Sequence, residues 1–196
     1  SYVLAATIVC AAALGGVALF GSARTPVVLV RALEWAALAL GLATTAYTGV
    51  LLAQIGFVPL WGSPLLPALF TCSSLSVGVA CTMAAALPDA RRAPRLLRAL
   101  ARADSVVIAV EALVLTAYLA SAAFGSGQAE AVEAFLFGPG MWFFWIGFVA
   151  CALALPLALD FSYTGCGRVA LAAAAVPLVL AGGFFLRYCI VNVPWT

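Results

Sequence analysis

The sequence contains very little charge. Only 8% of its 196 residues are charged, lysine and histidine are absent, and all nine basic residues are arginine. A soluble domain needs roughly a quarter of its residues charged, so a water-soluble globular fold is excluded. The lack of histidine also excludes a haem held between two histidine side chains.

The six cysteines lack the spacing of a metal site. None forms a C-x-x-C pair, and all except Cys166 fall within apolar runs. Iron–sulfur clusters and zinc need clustered thiolates, so we expect neither of them, and no haem, in this chain. We interpret the cysteines as small apolar side chains.

Long apolar runs dominate instead. Hydrophobic residues make up 66% of the chain, and about 20 apolar residues in a helix span a bilayer. We predict an all-α, polytopic membrane helix bundle that forms one transmembrane domain over residues 1–196. Its six predicted transmembrane helices are Val3–Phe20, Leu33–Gln54, Leu66–Leu87, Asp104–Phe124, Phe135–Leu159 and Val169–Ile190. The first is too long for a secretory signal and is interpreted as a retained span.

Most of the arginines fall on one side of the predicted bundle. Arg24 and Arg31 lie between the first two runs, the segment Arg91–Arg102 lies between the third and fourth, and Arg168 follows the fifth. Asp160 and Cys166 are assigned to the same short connection as Arg168. Cytoplasmic loops carry an excess of basic residues, so this side is predicted to be cytoplasmic and both termini outside. We interpret the basic segment as a topology determinant against anionic lipid, not as a nucleic-acid site.

Three polar residues share one face of the fourth run. Asp104, Glu111 and Tyr118 are seven residues apart, and seven residues make nearly two helical turns. Ionisable side chains within a span are costly and face the bundle interior or water. We therefore hypothesise a proton path with Asp104 at its cytoplasmic end, Glu111 as buried relay and Tyr118 as outer member. Alternatively, Glu111 donates a structural hydrogen bond between helices.

A second polar set lies towards the outer side. Tyr47 is deep in the second run, which ends near Gln54 before an uncharged loop that contains Trp61. A tyrosine there suits either the aromatic belt at the headgroups or contact with an amphipathic ligand. Arg187, near the end of the last run, lies at a similar depth. It either binds a ligand or extends to lipid phosphates.

Several short motifs resemble one membrane-protein family. They are AYTGVLLAQ (46–54), PLWGSPLLPALF (59–70), SSLSVGVA (73–80) and LAGGFFLRY (180–188). In order and content they are similar to segments of the NrfD and polysulfide reductase membrane subunits. The resemblance covers nearly all of this chain but only the later six of the family's usual eight helices. The chain is therefore either a shortened member or a fragment.

The resemblance implies a quinone-interacting anchor subunit of a respiratory oxidoreductase in the bacterial cytoplasmic membrane. Tyr47, Gln54, Trp61 and Arg187 would contact a quinone or menaquinol, which is an exchangeable substrate. Electrons would pass to a docked ferredoxin-like iron–sulfur subunit and beyond it to a molybdopterin oxidoreductase subunit, as in anaerobic respiration.

Two other classes stay open. A small transporter or channel would carry substrate flux by this chain alone. A purely structural anchor would tolerate replacement of Tyr47, Glu111 and Arg187.

Overall fold

The computed structural model describes residues 2–20, 26–54, 59–90, 92–125 and 128–192, and within these ranges all regular structure is helical. The predicted all-α bundle is therefore confirmed. Its α-helices are α1 (Tyr2–Phe20), α2 (Val27–Gln54), α3 (Leu65–Ala86), α4 (Pro94–Ala120), α5 (Ala129–Phe137), α6 (Leu155–Cys166) and α7 (Val169–Val191). Two π-helical segments, Ser121–Gly125 and Phe143–Ala154, continue α4 and lead into α6, and two short 3₁₀ helices, Pro59–Gly62 and Leu87–Asp89, flank α3.

Among the described residues, five helical spans are long and apolar enough to cross a bilayer. They are Val27–Gln54, Leu65–Asp89, Pro94–Phe124, Phe143–Cys166 and Val169–Val191. The helix of the first predicted run, α1, has 19 residues and no charged side chain. The topology prediction rests in part on Arg24 and Arg91, and these two residues lie outside the described residues.

The ends of the spans form two sides of the bundle. We call the side with the α3–α4 and α6–α7 connections the arginine side, because Arg92 and Arg168 lie there. The other side contains the 3₁₀ turn Pro59–Gly62 and the short helix α5, and we call it the far side.

Four helical segments form the core of the bundle. α3 packs against α4 and α7, and α7 packs along the π-helical segment that leads into α6. Fully buried apolar side chains join these segments, among them Leu66, Leu69, Ile108, Phe148 and Leu186. α2 packs on the outside of α3, and α1 packs on α2. α1 and α2 are therefore peripheral, and most of their side chains are exposed in this structure.

Two boundaries differ from the sequence prediction. α4 begins at Pro94 and not at Asp104, because a turn rich in arginine continues the helix beyond the apolar run. The predicted run Phe135–Leu159 is divided, since α5 ends at Phe137 and the spanning helix follows a turn. A Cβ on Gly138 would overlap the carbonyl oxygen of Ala134, so that glycine permits the turn.

Glycines allow α7 to approach its neighbours closely. A Cβ on Gly182 would overlap Ala152 of the π-helical segment, and one on Gly183 would lie 2.7 Å from Val77 Cγ2 of α3. The paired glycines therefore hold the backbone that precedes Arg187 against the bundle.

Replacing Gly182 with alanine should destabilise the folded chain by about 1–3 kcal/mol, because the added methyl group overpacks against Ala152. Thermal unfolding in detergent measures the loss. Gly15→Ala in α1 is the matched control, since no atom of the described residues lies within 4 Å of its Cβ position. Equal losses in the two variants would contradict this packing.

Candidate functional site

Polar side chains run through the centre of the bundle. Asp104 is 0% exposed, and Glu111 and Tyr118 are 2% exposed, so all three lie on the buried face of α4. Serines from α3, an aspartate from α6 and an arginine from α7 surround them. We call this set the polar column; its members are Ser73, Ser74, Ser76, Asp104, Glu111, Tyr118, Asp160 and Arg187.

The arginine-side end of the polar column contains two carboxyl groups. The hydroxyl of Ser76 donates to Asp104 Oδ1 at 2.9 Å. The carboxyl groups of Asp104 and Asp160 interact with each other, and both residues are 0% exposed. Asp104 Oδ2 and both oxygens of Asp160 nevertheless have no hydrogen-bond partner of good geometry within the described part of the chain.

Glu111 occupies the middle of the polar column. Ser73 of α3 and Arg187 of α7 both interact electrostatically with its carboxyl group. Glu111 Oε1 has no hydrogen-bond partner in the described ranges. One oxygen of this carboxyl group therefore lies in the interior without a hydrogen-bond partner among the described residues.

Arg187 turns into the bundle and not towards the headgroups. Its Nη1 donates to the carbonyl of Gly183, one turn deeper, at 2.8 Å, and its Nη2 donates to Ser74 Oγ at 2.6 Å. The guanidinium carbon lies 5.9 Å from the centre of the Phe70 ring, within range of a cation–π contact. A snorkelling arginine would point the opposite way, so the lipid-phosphate alternative does not describe this side chain.

A 3₁₀ turn closes the far-side end of the column. The hydroxyl of Tyr118 donates to the carbonyl of Leu60 at 2.7 Å, and Trp61 Nε1 donates to the carbonyl of Ile190 at 2.9 Å. Trp61 is 5% exposed. Both aromatic side chains therefore attach the turn Pro59–Gly62 to the bundle.

A groove of about 460 Å³ opens between α2 and α3. Its walls are mostly apolar, with hydroxyl groups from Thr45, Ser74 and Thr82. Ser74 also accepts the hydrogen bond of Arg187, so one member of the polar column lines the groove. A second groove of about 500 Å³, between α4, α5 and the π-helical segment, is lined by no member of the column.

Tyr47 lies on a different face of α2 from this groove. It follows Leu40 and Thr44 at spacing i, i+4, i+7, and Thr7 of α1 bonds to both of those residues, at 3.3 and 2.8 Å. Gly49, which approaches Pro67 of α3, is about 160° around the helix from Tyr47. Tyr47 is 38% exposed and lies on the α1 side.

The structure thus brings together some of the predicted site residues and separates others. Arg187 is close to Glu111 and joins the polar column. Gln54 is exposed at the end of α2, and Tyr47 faces α1. The four predicted quinone contacts therefore do not form one contiguous cluster of side chains.

The assignment of Asp160 to a connection was wrong. The apolar run ends at Leu159, but α6 continues to Cys166 and buries Asp160 among the core helices. Gly167, with φ of 70°, caps the helix. Glycine in the left-handed conformation is a common helix stop, so Gly167 was the available signal that the helix extends past Asp160.

Comparison with known proteins supports the resemblance of the motifs. The family model described as "Polysulphide reductase, NrfD" matches residues 4–193. Protein NrfD of Escherichia coli (strain K12) is 32% identical over 165 residues, which cover 82% of this chain and 52% of that protein. The chain spans about half the length of this curated relative. No solved structure gives a significant match.

Proposed function

The chain belongs to the polysulphide reductase NrfD family, and we propose that it is the quinone-interacting, membrane-anchor subunit of a respiratory oxidoreductase complex. The apolar spans support a multi-pass membrane protein. Its proposed location is the bacterial cytoplasmic membrane, with the arginine side in the cytoplasm.

The inward-turned Arg187 is the observation that carries the proposal. A cation at membrane depth is costly, and such residues are therefore good candidates for functional sites. Here the guanidinium donates a hydrogen bond to Ser74 and interacts electrostatically with the carboxyl group of Glu111. Quinone chemistry moves two electrons with two protons, so it needs hydrogen-bonding groups at the ring oxygens and acids that carry protons. Arg187 and Glu111 supply one of each.

The α2–α3 groove is the proposed seat of the quinone ring. Its volume and apolar walls suit a membrane-dissolved ring, and Ser74 presents a polar group next to Arg187. A ring in this groove would not reach Tyr47, on the opposite face of α2, or Gln54, at the end of that helix, so these two predicted contacts would belong to quinone outside the groove. Trp61 would act indirectly, because it attaches the turn Pro59–Gly62 to α7 at the far side.

Protons and electrons would leave this site separately. The proposed proton path runs through Tyr118, Glu111 and Asp104 along α4. The helical rise separates successive members by about 10 Å, so waters or the serines of α3 must bridge them. Electrons would pass to a docked ferredoxin-like iron–sulfur subunit, and from there a molybdopterin oxidoreductase subunit would be the catalytic partner.

A channel or transporter is the second candidate, because buried acids also line ion pathways. Vesicles that contain this chain alone distinguish the two. The quinone proposal expects turnover only with the redox partners present and no ion flux without them. Sustained proton or substrate flux through the isolated chain would favour the transporter.

Tyr47→Phe removes one hydroxyl and keeps the ring. If that hydroxyl binds a quinone oxygen, the loss is about 1–2 kcal/mol, or roughly five- to thirtyfold in quinol turnover of the assembled complex. Thr45→Val tests the groove on the other face of the helix, and Tyr2→Phe at the exposed start of α1 is the control. Unchanged kinetics in Tyr47→Phe would return Tyr47 to the aromatic belt.

The orientation can be tested with Cys166. This exposed residue ends α6 on the arginine side. A membrane-impermeant thiol reagent should miss it in intact cells and label it in inverted vesicles, with Cys166→Ser as the control for other thiols. Labelling in intact cells would reverse the proposed orientation.

A further inference from the structure

Asp160 is the buried acid that the proposed proton path does not use. It is 0% exposed and lies on α6, which packs against α4, and its carboxyl group interacts with that of Asp104 inside the bundle. Neither of its oxygens has a hydrogen-bond partner of good geometry among the described residues. An unpartnered carboxylate in an apolar interior is expensive enough that such groups normally become neutral or bind a cation.

A single proton explains the contact between the two acids. Ionised carboxylates only accept hydrogen bonds, so Asp104 and Asp160 cannot bond to each other while both are charged. One proton on either oxygen turns the contact into an O–H···O⁻ hydrogen bond, which is among the stronger kinds. The same proton removes the repulsion between two like charges in a low-dielectric site.

The surroundings favour a proton over a metal cation. Ser76 is the neutral hydroxyl group that joins the pair, through Asp104 Oδ1. No cluster of three His, Cys, Asp or Glu side chains that could hold a metal occurs within the described ranges. Mg²⁺ and Ca²⁺ take six or more oxygen ligands, and two carboxyl groups with one hydroxyl fall short of that.

In the described part of the chain, no cation forms an ion pair with Asp104 or Asp160, and the nearby titratable groups lie elsewhere. Glu111 lies about 10 Å deeper on α4, and Tyr163 is buried on α6 one turn beyond Asp160. Arg98 of α4 extends to Gly167 at the helix end, with Nη2 3.9 Å from the position of a Cβ there. Arg187 of α7 acts on Glu111.

We propose that Asp104 and Asp160 share one proton and form the proton-exchange point at the arginine-side end of the polar column. A proton arriving from the arginine side adds to one carboxylate oxygen and forms the bridging hydrogen bond. Its departure to the next carrier restores two carboxylates, and no electron is transferred. The place of this pair in a proton path rests on the proposed function, whereas the shared proton does not.

Infrared difference spectroscopy on the assembled complex in lipid vesicles tests the shared proton. The wild-type complex should show a protonated-carboxyl C=O band that shifts in D₂O. Asp104→Asn and Asp160→Asn should each remove this band, because one partner alone cannot form the bridge. Asp89→Asn is the control: its exposed side chain pairs with Arg92 at the surface, and the band should persist.

Two results would overturn the proposal. One is a band that persists in both asparagine variants. The other is a band that disappears when Na⁺ is added at constant pH, which would assign the site to a metal cation. Should Asp160→Asn not assemble, Asp160→Glu keeps a carboxyl group and should shift the band; an unshifted band would also contradict the pair. Failure of quinone binding would leave all these spectra unchanged, so the two proposals fail separately.

Discussion

Glutamine in place of Glu111 should leave the complex assembled and slow quinol-linked turnover by roughly a hundredfold, the usual scale for loss of a positioned acid or base. Glutamine preserves the shape and can still form hydrogen bonds, but it cannot carry a proton. Glu111 is 2% exposed between Asp104 and Tyr118 on α4. Quinol turnover and proton movement in vesicles are the two measurements.

Glu133→Gln is the matched control for this variant. Glu133 is exposed on the short helix α5, so the same chemical change there should alter neither measurement. Wild-type turnover and proton coupling in Glu111→Gln would instead make Glu111 a structural hydrogen-bond partner between α3 and α4.

Methionine in place of Arg187 should cost both stability and function. The unbranched stem of methionine fills part of the same space, but Ser74 loses its donor and Glu111 loses its cation. Losing a hydrogen bond to a charged group typically costs about 1.5–3 kcal/mol, so a loss of about 2 kcal/mol is expected. Thermal unfolding measures the loss of stability, and quinol turnover measures the loss of function. Arg92→Met is the control: this side chain is 88% exposed, so the variant should keep both stability and turnover.

Combining Arg187→Met with Glu111→Gln separates the two effects. If Arg187 compensates the charge of Glu111, the double variant should be more stable than the sum of the two single losses predicts. Turnover should stay low, because the proton carrier is also gone. Additive stability losses would contradict the electrostatic contact between these residues.

The helices were predictable because apolar length and helical rise are strong constraints in a membrane. The ends of the helices were less predictable. Arg95 and Arg98 extend α4 before the apolar run begins, and a hydropathy pattern cannot show that such residues are helical. The turn at Gly138 divides α5 from the next helix, although aromatic residues continue on both sides and keep the segment apolar.

The candidate site was predictable only along single helices. The spacing of Asp104, Glu111 and Tyr118 predicted that they share one face, because the angle between residues on a single helix is fixed. Asp160 and the serines of α3 join them through contacts between helices. A single sequence does not show which helices pack together, so these residues could not be predicted. Tyr47 illustrates the reverse: its depth matched that of Arg187, but its direction depends on which neighbour each face of α2 meets.

Photoaffinity labelling with a photoreactive quinone tests the central proposal most directly. The assembled complex in lipid vesicles is irradiated with the probe, and the labelled peptides are mapped by mass spectrometry. A quinone site in this groove should give label on α2 and α3, at residues 37–45 and 74–82, and menaquinone should compete the label away. Label spread over the lipid-facing surfaces of α1 and α6, with no competition by menaquinone, would contradict a quinone site in this chain.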